Sequence, residues 1–95
     1  MATRLIWDEA KRASNLAKHG LDFADAWWVL DSAYRLDVEV LRGDEVRVQS
    51  FSYVADVLAV LTVVHTARGG AVRVISFRPA SGEEREAYHD WLESE

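Results

Sequence analysis

The spacing of apolar residues changes period twice along this chain, and that change limits the fold more than any single motif does. Phe23, Ala26, Trp27 and Leu30 recur at i, i+3, i+4 and i+7, one face of a helix. From Tyr34 the period falls to two: Leu36, Val38 and Val40 alternate with Asp37 and Glu39, as in a half-buried strand. Residues 46–53 and 72–78 read as further strands, and residues 57–66 are so continuously apolar that they suit the sheet centre. Gly43-Asp44 and Arg68-Gly69-Gly70 supply turns rather than crossovers, so the four strands form an antiparallel meander. Pro79 has no N–H for a ladder and ends the last strand. Beyond it Ala87, Tyr88, Trp91 and Leu92 return to helical spacing.

Helix ends are marked as clearly. Asp8 is an N-cap with Glu9 in the first turn, and the helix over 9–18 stops at His19-Gly20, where glycine takes the left-handed position. Asp22 caps a second helix reaching Leu30, with Leu21 and Ala26 placed for a hydrophobic staple. Trp28 lies off its apolar stripe and is marked for a second surface, the sheet or a partner. Ser81 and Glu84 have capping-box spacing and open a C-terminal helix. Residues 4–7 are a short apolar entry with the look of an edge strand. The expected fold is therefore α+β: two N-terminal helices, a four-stranded antiparallel sheet and a C-terminal helix, all in one domain spanning 1–95.

A chain of 95 residues buries about 60–68% of its unfolded surface, enough for a core without cross-links. With no cysteine, thiol nucleophiles, cysteine-based zinc sites and CxxC redox chemistry are excluded. The opening residues lack the apolar stretch of a signal peptide, and the longest apolar run, residues 57–64, falls short of the ~20 residues of a spanning helix. The expectation is a soluble cytoplasmic domain.

The net charge of −5 argues against generic nucleic-acid binding, but the charge is unevenly distributed. Residues 57–82 carry Arg68, Arg73 and Arg78 and no acid, between acidic stretches over 31–56 and 83–95. A basic cleft in an acidic whole suits an anionic substrate. On a regular strand, alternation separates Arg73, Ile75 and Phe77 from Val72, Val74, Ser76 and Arg78. Arg73 and Arg78 then flank one phosphate only if the strand bulges. Each arginine has an ordinary alternative as a surface ion-pair partner, with Glu84, Glu86 and Asp90 at hand.

Among the histidines, His19 ends a helix, where the dipole itself favours a cation, and His89 sits on an acidic helix face. His65 shares strand parity with Leu61 and Val63, which suits a structural histidine as well as a functional one. No HExxH or similar spacing offers a metal site, so no metal or other cofactor is expected. No GxSxG, P-loop or dinucleotide pattern is present either.

Short patterns in order along the chain resemble one family. Trp7-Asp8-Glu9-Ala10-Lys11, Asn15, Lys18-His19-Gly20, Phe23 and Ala26 are similar to the opening of BrnT-type toxins. Arg73-Val74-Ile75-Ser76-Phe77-Arg78, followed by Glu84-Arg85 and Tyr88, is similar to that family's ending. The resemblance implies a RelE-like fold and a growth-inhibiting ribonuclease toxin of a type II toxin–antitoxin pair. It also implies an antitoxin partner with a ribbon-helix-helix domain, in a complex such as toxin2–antitoxin2 that reaches operator DNA only through the antitoxin.

A ribonuclease that works without a metal needs a base for the attacking 2′-OH, cations for the transition-state charge and a proton for the departing 5′-oxygen. Under the resemblance, Lys18, Arg68 and Arg78 are the charge-stabilising candidates and His19 the acid or base. Arg73, His65 and Tyr88 are candidate RNA contacts, Tyr88 by base stacking unless its stripe position commits it to the core. The chain departs from the family pattern at Ala67, where a glutamate is common, at Pro79, where a basic residue is common, and at Phe51-Ser52, where a glycine is common. These departures keep an alternative open: a weakened or inactive relative that acts only as a binding and co-repressor subunit, using Trp28, Phe51 and the basic stretch as its partner surface.

Overall fold

The computed structural model describes residues 3–94. Strand β1 (Leu5–Ile6) leads into α1 (Glu9–His19), a 3₁₀ turn (Phe23–Asp25) and the one-turn helix α2 (Trp27–Leu30). Strands β2 (Leu36–Arg42), β3 (Glu45–Val54), β4 (Ala59–Arg68) and β5 (Ala71–Pro79) follow, and α3 (Gly82–Glu93) closes the chain. The caps form as their residue types require. Asp8 Oδ1 accepts from the Ala10 and Lys11 amides, and Gly20 ends α1 at φ 69° with its N–H on the Leu16 carbonyl. Ser81 and Glu84 make the reciprocal capping box of α3.

Three expectations change. The sheet has five strands and is mixed: its order is β1-β5-β4-β3-β2, with β1 parallel to β5 and every other pair antiparallel. Residues 4–7, with the look of an edge strand, do supply one, β1, but two residues are too short to show a period or to reveal the strand they pair with. The second helix is not continuous over 22–30. The Ala26 amide bonds three residues back, to Phe23, and the helix restarts from the Ala26 carbonyl. That tighter turn puts Phe23, Ala26 and Val29, three residues apart, into one core together with Leu30, so burial decides against the regular 3.6 spacing. Finally, Val57 and Leu58 leave the apolar run to make the β3–β4 turn, with the Val57 and Leu58 amides on the Val54 and Ala55 carbonyls.

The helices also cover both faces of the sheet. On one face, α1, the 3₁₀ turn and α2 press Leu21, Phe23, Ala26, Val29 and Leu30 against Leu61, Val63, Val74 and Phe77. On the other, α3 seats Tyr88, with Trp91 and Leu92, over Phe51 and Val60 near one end only. The rest of that second face is bare.

Strand β5 contains a bulge. Val64 pairs with Ser76 and His65 with Val74, so Ile75 has no partner on β4. The bulge reverses the parity expected from regular alternation. Val74 and Phe77 both turn into the core, while Arg73 and Arg78 share the other face, opposite Thr66 and Thr62.

The outer edge of β5 is sealed in two ways. Its first half pairs with β1, and the Val72 amide donates to the Arg4 carbonyl. Its second half is closed by a side chain. Asn15, buried on α1, accepts from the Phe77 amide (3.1 Å) and donates through Nδ2 to the carbonyls of Phe77 (2.7 Å) and Leu21 (3.0 Å). One carboxamide thus acts as a strand residue for β5 while holding the segment after α1. Arg12 supports the same junction through a two-bonded pair with Asp22, which keeps the Asp22 carboxyl below its ordinary range.

Replacing Asn15 with alanine leaves three backbone groups without their partner, each worth about 1–3 kcal/mol when buried unpaired. Asn15→Ala is expected to lower the unfolding free energy by about 3 kcal/mol in urea denaturation, and a loss below about 1 kcal/mol would contradict this account of the edge.

Candidate functional site

Lys11, Ser14, Asn15 and Lys18 fall at i, i+3, i+4 and i+7 on α1, a single polar stripe. Because Asn15 is bonded to β5, the whole stripe lies along that strand. It forms with His19, Ile75, Ser76 and Arg78 an open cleft of about 340 Å³. Lys18 and His19 occupy the last helical turn, where the carbonyl end of the dipole favours cations. A second hollow, of about 200 Å³, lies on the bare sheet face between Val40, Arg42, Arg47, Gln49, Val64, Ile75 and Ser76. Ile75 and Ser76 line both, so the two hollows are neighbours at the bulge. Three of the four residues read from the sequence as catalytic candidates, Lys18, His19 and Arg78, therefore meet in one place.

Arg78 enters the cleft already paired. Its Nη1 and Nη2 donate to Glu84 at 2.7 and 2.9 Å, and the same carboxylate accepts from the Ser81 amide and the Thr62 hydroxyl. The Arg78 hydrogen bonds outweigh the cost of burial and hold the Glu84 carboxyl at about 2, well below its ordinary 4.5, while the Arg78 guanidinium is pushed up. The guanidinium is thus fixed in orientation, and a phosphate must compete with or share this carboxylate.

Arg68 lies elsewhere. It pairs with Ala71 beside the β4–β5 turn, six residues along β4 from the partner of Arg78, which is about 20 Å along the strand. There it donates to Glu45 (3.1 Å), a carboxylate also held by Arg47 (2.8 Å). Arg73 shares the Arg78 face, about 13 Å away by the same count, with β1 beside it.

His65 is on the opposite, helix-covered face. The fully buried Ser50 donates its one hydroxyl proton to Asp37 Oδ1 (2.6 Å), so at 2.8 Å it accepts from His65 Nε2. This direction is the reverse of what a serine nucleophile needs, and the string ties β2, β3 and β4 together. Burial pushes the His65 imidazole below its ordinary value, with the Asp37 carboxylate opposing in part. Tyr88 is 1% exposed, its ring tilted on Trp91 and its hydroxyl on the Tyr34 carbonyl (2.7 Å), so it has no open face for a base. Phe51 is likewise buried and cannot serve a partner surface, whereas Trp28 stays partly exposed, edge-on to Phe77.

Sequence reasoning overlooked Lys11, Arg42, Arg47 and Gln49 as site residues. The i, i+7 spacing from Lys11 to Lys18 was a usable signal; the hairpin that sets Arg42 and Arg47 on the bare face was readable only with its register. Among the described residues there is no cluster of three or more acidic or histidine ligands, and no helix is long and apolar enough to cross a membrane.

A carboxyl whose folded pKa is depressed stabilises the fold above its unfolded pKa and loses that contribution as the pH falls through the folded value. For Glu84 the contribution, on the order of 2–3 kcal/mol, is complete above about pH 5 and disappears toward pH 2. Glu84→Gln is expected to lower Tm at pH 7 and to flatten its decline between pH 5 and 2. An unchanged acid limb in thermal scans would remove Glu84 as the cause.

The model of a protein family described as "Ribonuclease toxin, BrnT, of type II toxin-antitoxin system" matches residues 7–84, from Trp7 between β1 and α1 to Glu84 in α3. No curated protein matches the chain.

Proposed function

The chain belongs to the BrnT family of type II toxin–antitoxin ribonuclease toxins, and we propose that it is a cytoplasmic toxin that cleaves RNA by internal 2′-OH attack, without a metal, until its antitoxin neutralises it. The observation that carries this reading is the convergence of Lys11, Lys18, His19 and Arg78 in one open cleft beside an arginine-bearing sheet face.

In the reaction, the 2′-oxygen loses its proton and bonds to the adjacent phosphorus. The P–O5′ bond breaks, leaving a 2′,3′-cyclic phosphate and a 5′-hydroxyl that takes up a proton. His19, which lines the cleft, is the group assigned to proton transfer, since an imidazole ring can both accept and donate a proton. Lys18, Lys11 and the oriented Arg78 fork stabilise the added negative charge on the phosphoryl oxygens. Arg42, Arg47 and Arg73 guide the flanking backbone. Arg68, at the far end of the ladder, is assigned to strand binding rather than to the reacting phosphate. The partner is an antitoxin with a ribbon-helix-helix domain, and the pair represses its own operon.

The Arg78–Glu84 pair favours a second reading, a subunit that binds without cutting, because it withdraws part of the cationic charge from the cleft. Cleavage of a defined single-stranded RNA in excess EDTA, with and without ribosomes, separates the two. Wild type is expected to cleave, and Lys18→Ala and His19→Ala to lose about 10²–10³-fold in rate, with Arg68→Ala within about tenfold of wild type. Equal activity in wild type, Lys18→Ala and His19→Ala would refute the site; an inactive wild type under both conditions would leave the binding subunit.

A further inference from the structure

The two edges of the sheet are treated differently. The β5 edge is closed by β1 and by the Asn15 carboxamide. The β2 edge, residues 36–42, has no neighbour among the described elements. Natural edges are blunted by proline, charged side chains, a bulge or brevity. Strand β2 has seven residues, no proline and an unbroken register from Leu36↔Phe51 to Arg42↔Glu45, and it carries the charges of Asp37, Glu39 and Arg42.

Its free hydrogen-bonding groups follow from the turn. A two-residue connection closes on a hydrogen-bonded pair, here Arg42 and Glu45, and hydrogen-bonded pairs then alternate along the ladder. Asp37, Glu39 and Leu41 are left with both N–H and C=O pointing outward. Apolar surface surrounds them: Val38 is 41% exposed, Leu41 70% and its cross-strand neighbour Val46 48%.

The chemistry of this edge selects its occupant. Glu39 and Asp44 repel RNA, while the Asp37 carboxylate is already paired with Arg35 at 3.0 Å. A second copy pairing antiparallel, centred on Glu39 or one step toward Asp37, sets carboxylate against carboxylate. An extended segment that alternates basic and apolar residues meets none of these objections. Its basic side chains lie on the Glu39 side, and its apolar ones extend the Val38–Val40 row.

We propose that the outer edge of β2 is the antitoxin-docking site, where an extended basic–apolar segment of the antitoxin joins the sheet as a sixth strand through Asp37, Glu39 and Leu41. This inference rests on the toxin–antitoxin reading above. It places the partner contact three strands away from the Lys18–His19–Arg78 cleft.

The test uses the full chain and a purified antitoxin with a ribbon-helix-helix domain, by titration and by hydrogen exchange. Glu39→Pro removes one outward N–H while leaving the β2–β3 ladder intact, and Glu39→Lys reverses the charge without altering the backbone. Both are expected to weaken the complex at least tenfold while the free protein keeps its wild-type RNA cleavage, and the Asp37, Glu39 and Leu41 amides of wild type are expected to exchange more slowly in the complex. Should Glu39→Pro fail to fold, Glu39→Lys and the exchange data decide. Unchanged affinity in the folded variants, or unprotected amides, overturns the docking edge and leaves the toxin reading intact. Protection of these amides in a dimer of the free chain makes a second copy the occupant and also overturns it. A wild type that forms no complex removes the toxin–antitoxin reading and this proposal together.

Discussion

One buried carboxamide sets the geometry on which the cleft depends. Asn15 is a polar side chain inside an α-helix, and its burial is tolerable only because each of its hydrogen-bonding groups meets a backbone partner on β5 or after α1. Those bonds do two things at once. They satisfy the open edge of a strand that β1 is too short to cover, and they fix the rotation of α1 about its axis. Lys11 and Lys18 lie on the same stripe as Asn15, and His19 is one residue further, so their direction is inherited from that rotation. A purely apolar contact between helix and strand would bury comparable area without choosing a rotation so narrowly.

The bulge at Ile75 is the second constraint, and it acts on charge. Without the extra residue, alternation sends Arg73 and Arg78 to opposite sides of the sheet. With it, both lie on the face that α3 leaves bare, while Val74 and Phe77 both reach the core. The bulge thereby sorts one strand into an apolar side and a basic side that its sequence does not alternate to produce. Ile75 and Ser76 then become the shared lining between the helix-side cleft and the hollow on the sheet.

Charge placement across the molecule follows the same division. The arginines of the bare face are tempered by Glu45 and Glu84, which hold Arg47, Arg68 and Arg78 in place by direct bonds. The acids of β2 gather at the far edge of the sheet. A chain with net charge −5 thus carries a basic sheet face, while Asp37 and Glu39 lie on the outer strand, Asp37 paired with Arg35.

Much of this was legible before any coordinates. Caps at Asp8, Gly20, Asp22 and Ser81 are local bonds between neighbours, so residue type and spacing suffice to place them. Among the four longer strands, β2 follows from period-two alternation and β4 from its continuous apolar run. The ordered family patterns, from Trp7 to Tyr88, already indicated the relationship that the match over 7–84 establishes. What the sequence could not decide lies in contacts between distant residues. A two-residue strand has no period, and a bulge is defined only by the strand across from it. The break at Ala26 arises because Phe23, Ala26 and Val29 share one core. Asn15 reaches Phe77 across 62 residues, whereas the Arg78–Glu84 pair, only six residues apart, is among the ion-pair alternatives the sequence offered. Local chemistry therefore determined which elements form and where they end. Only tertiary packing decided which side chains face one another, because register, helix rotation and ion pairing are set by the partner across the contact.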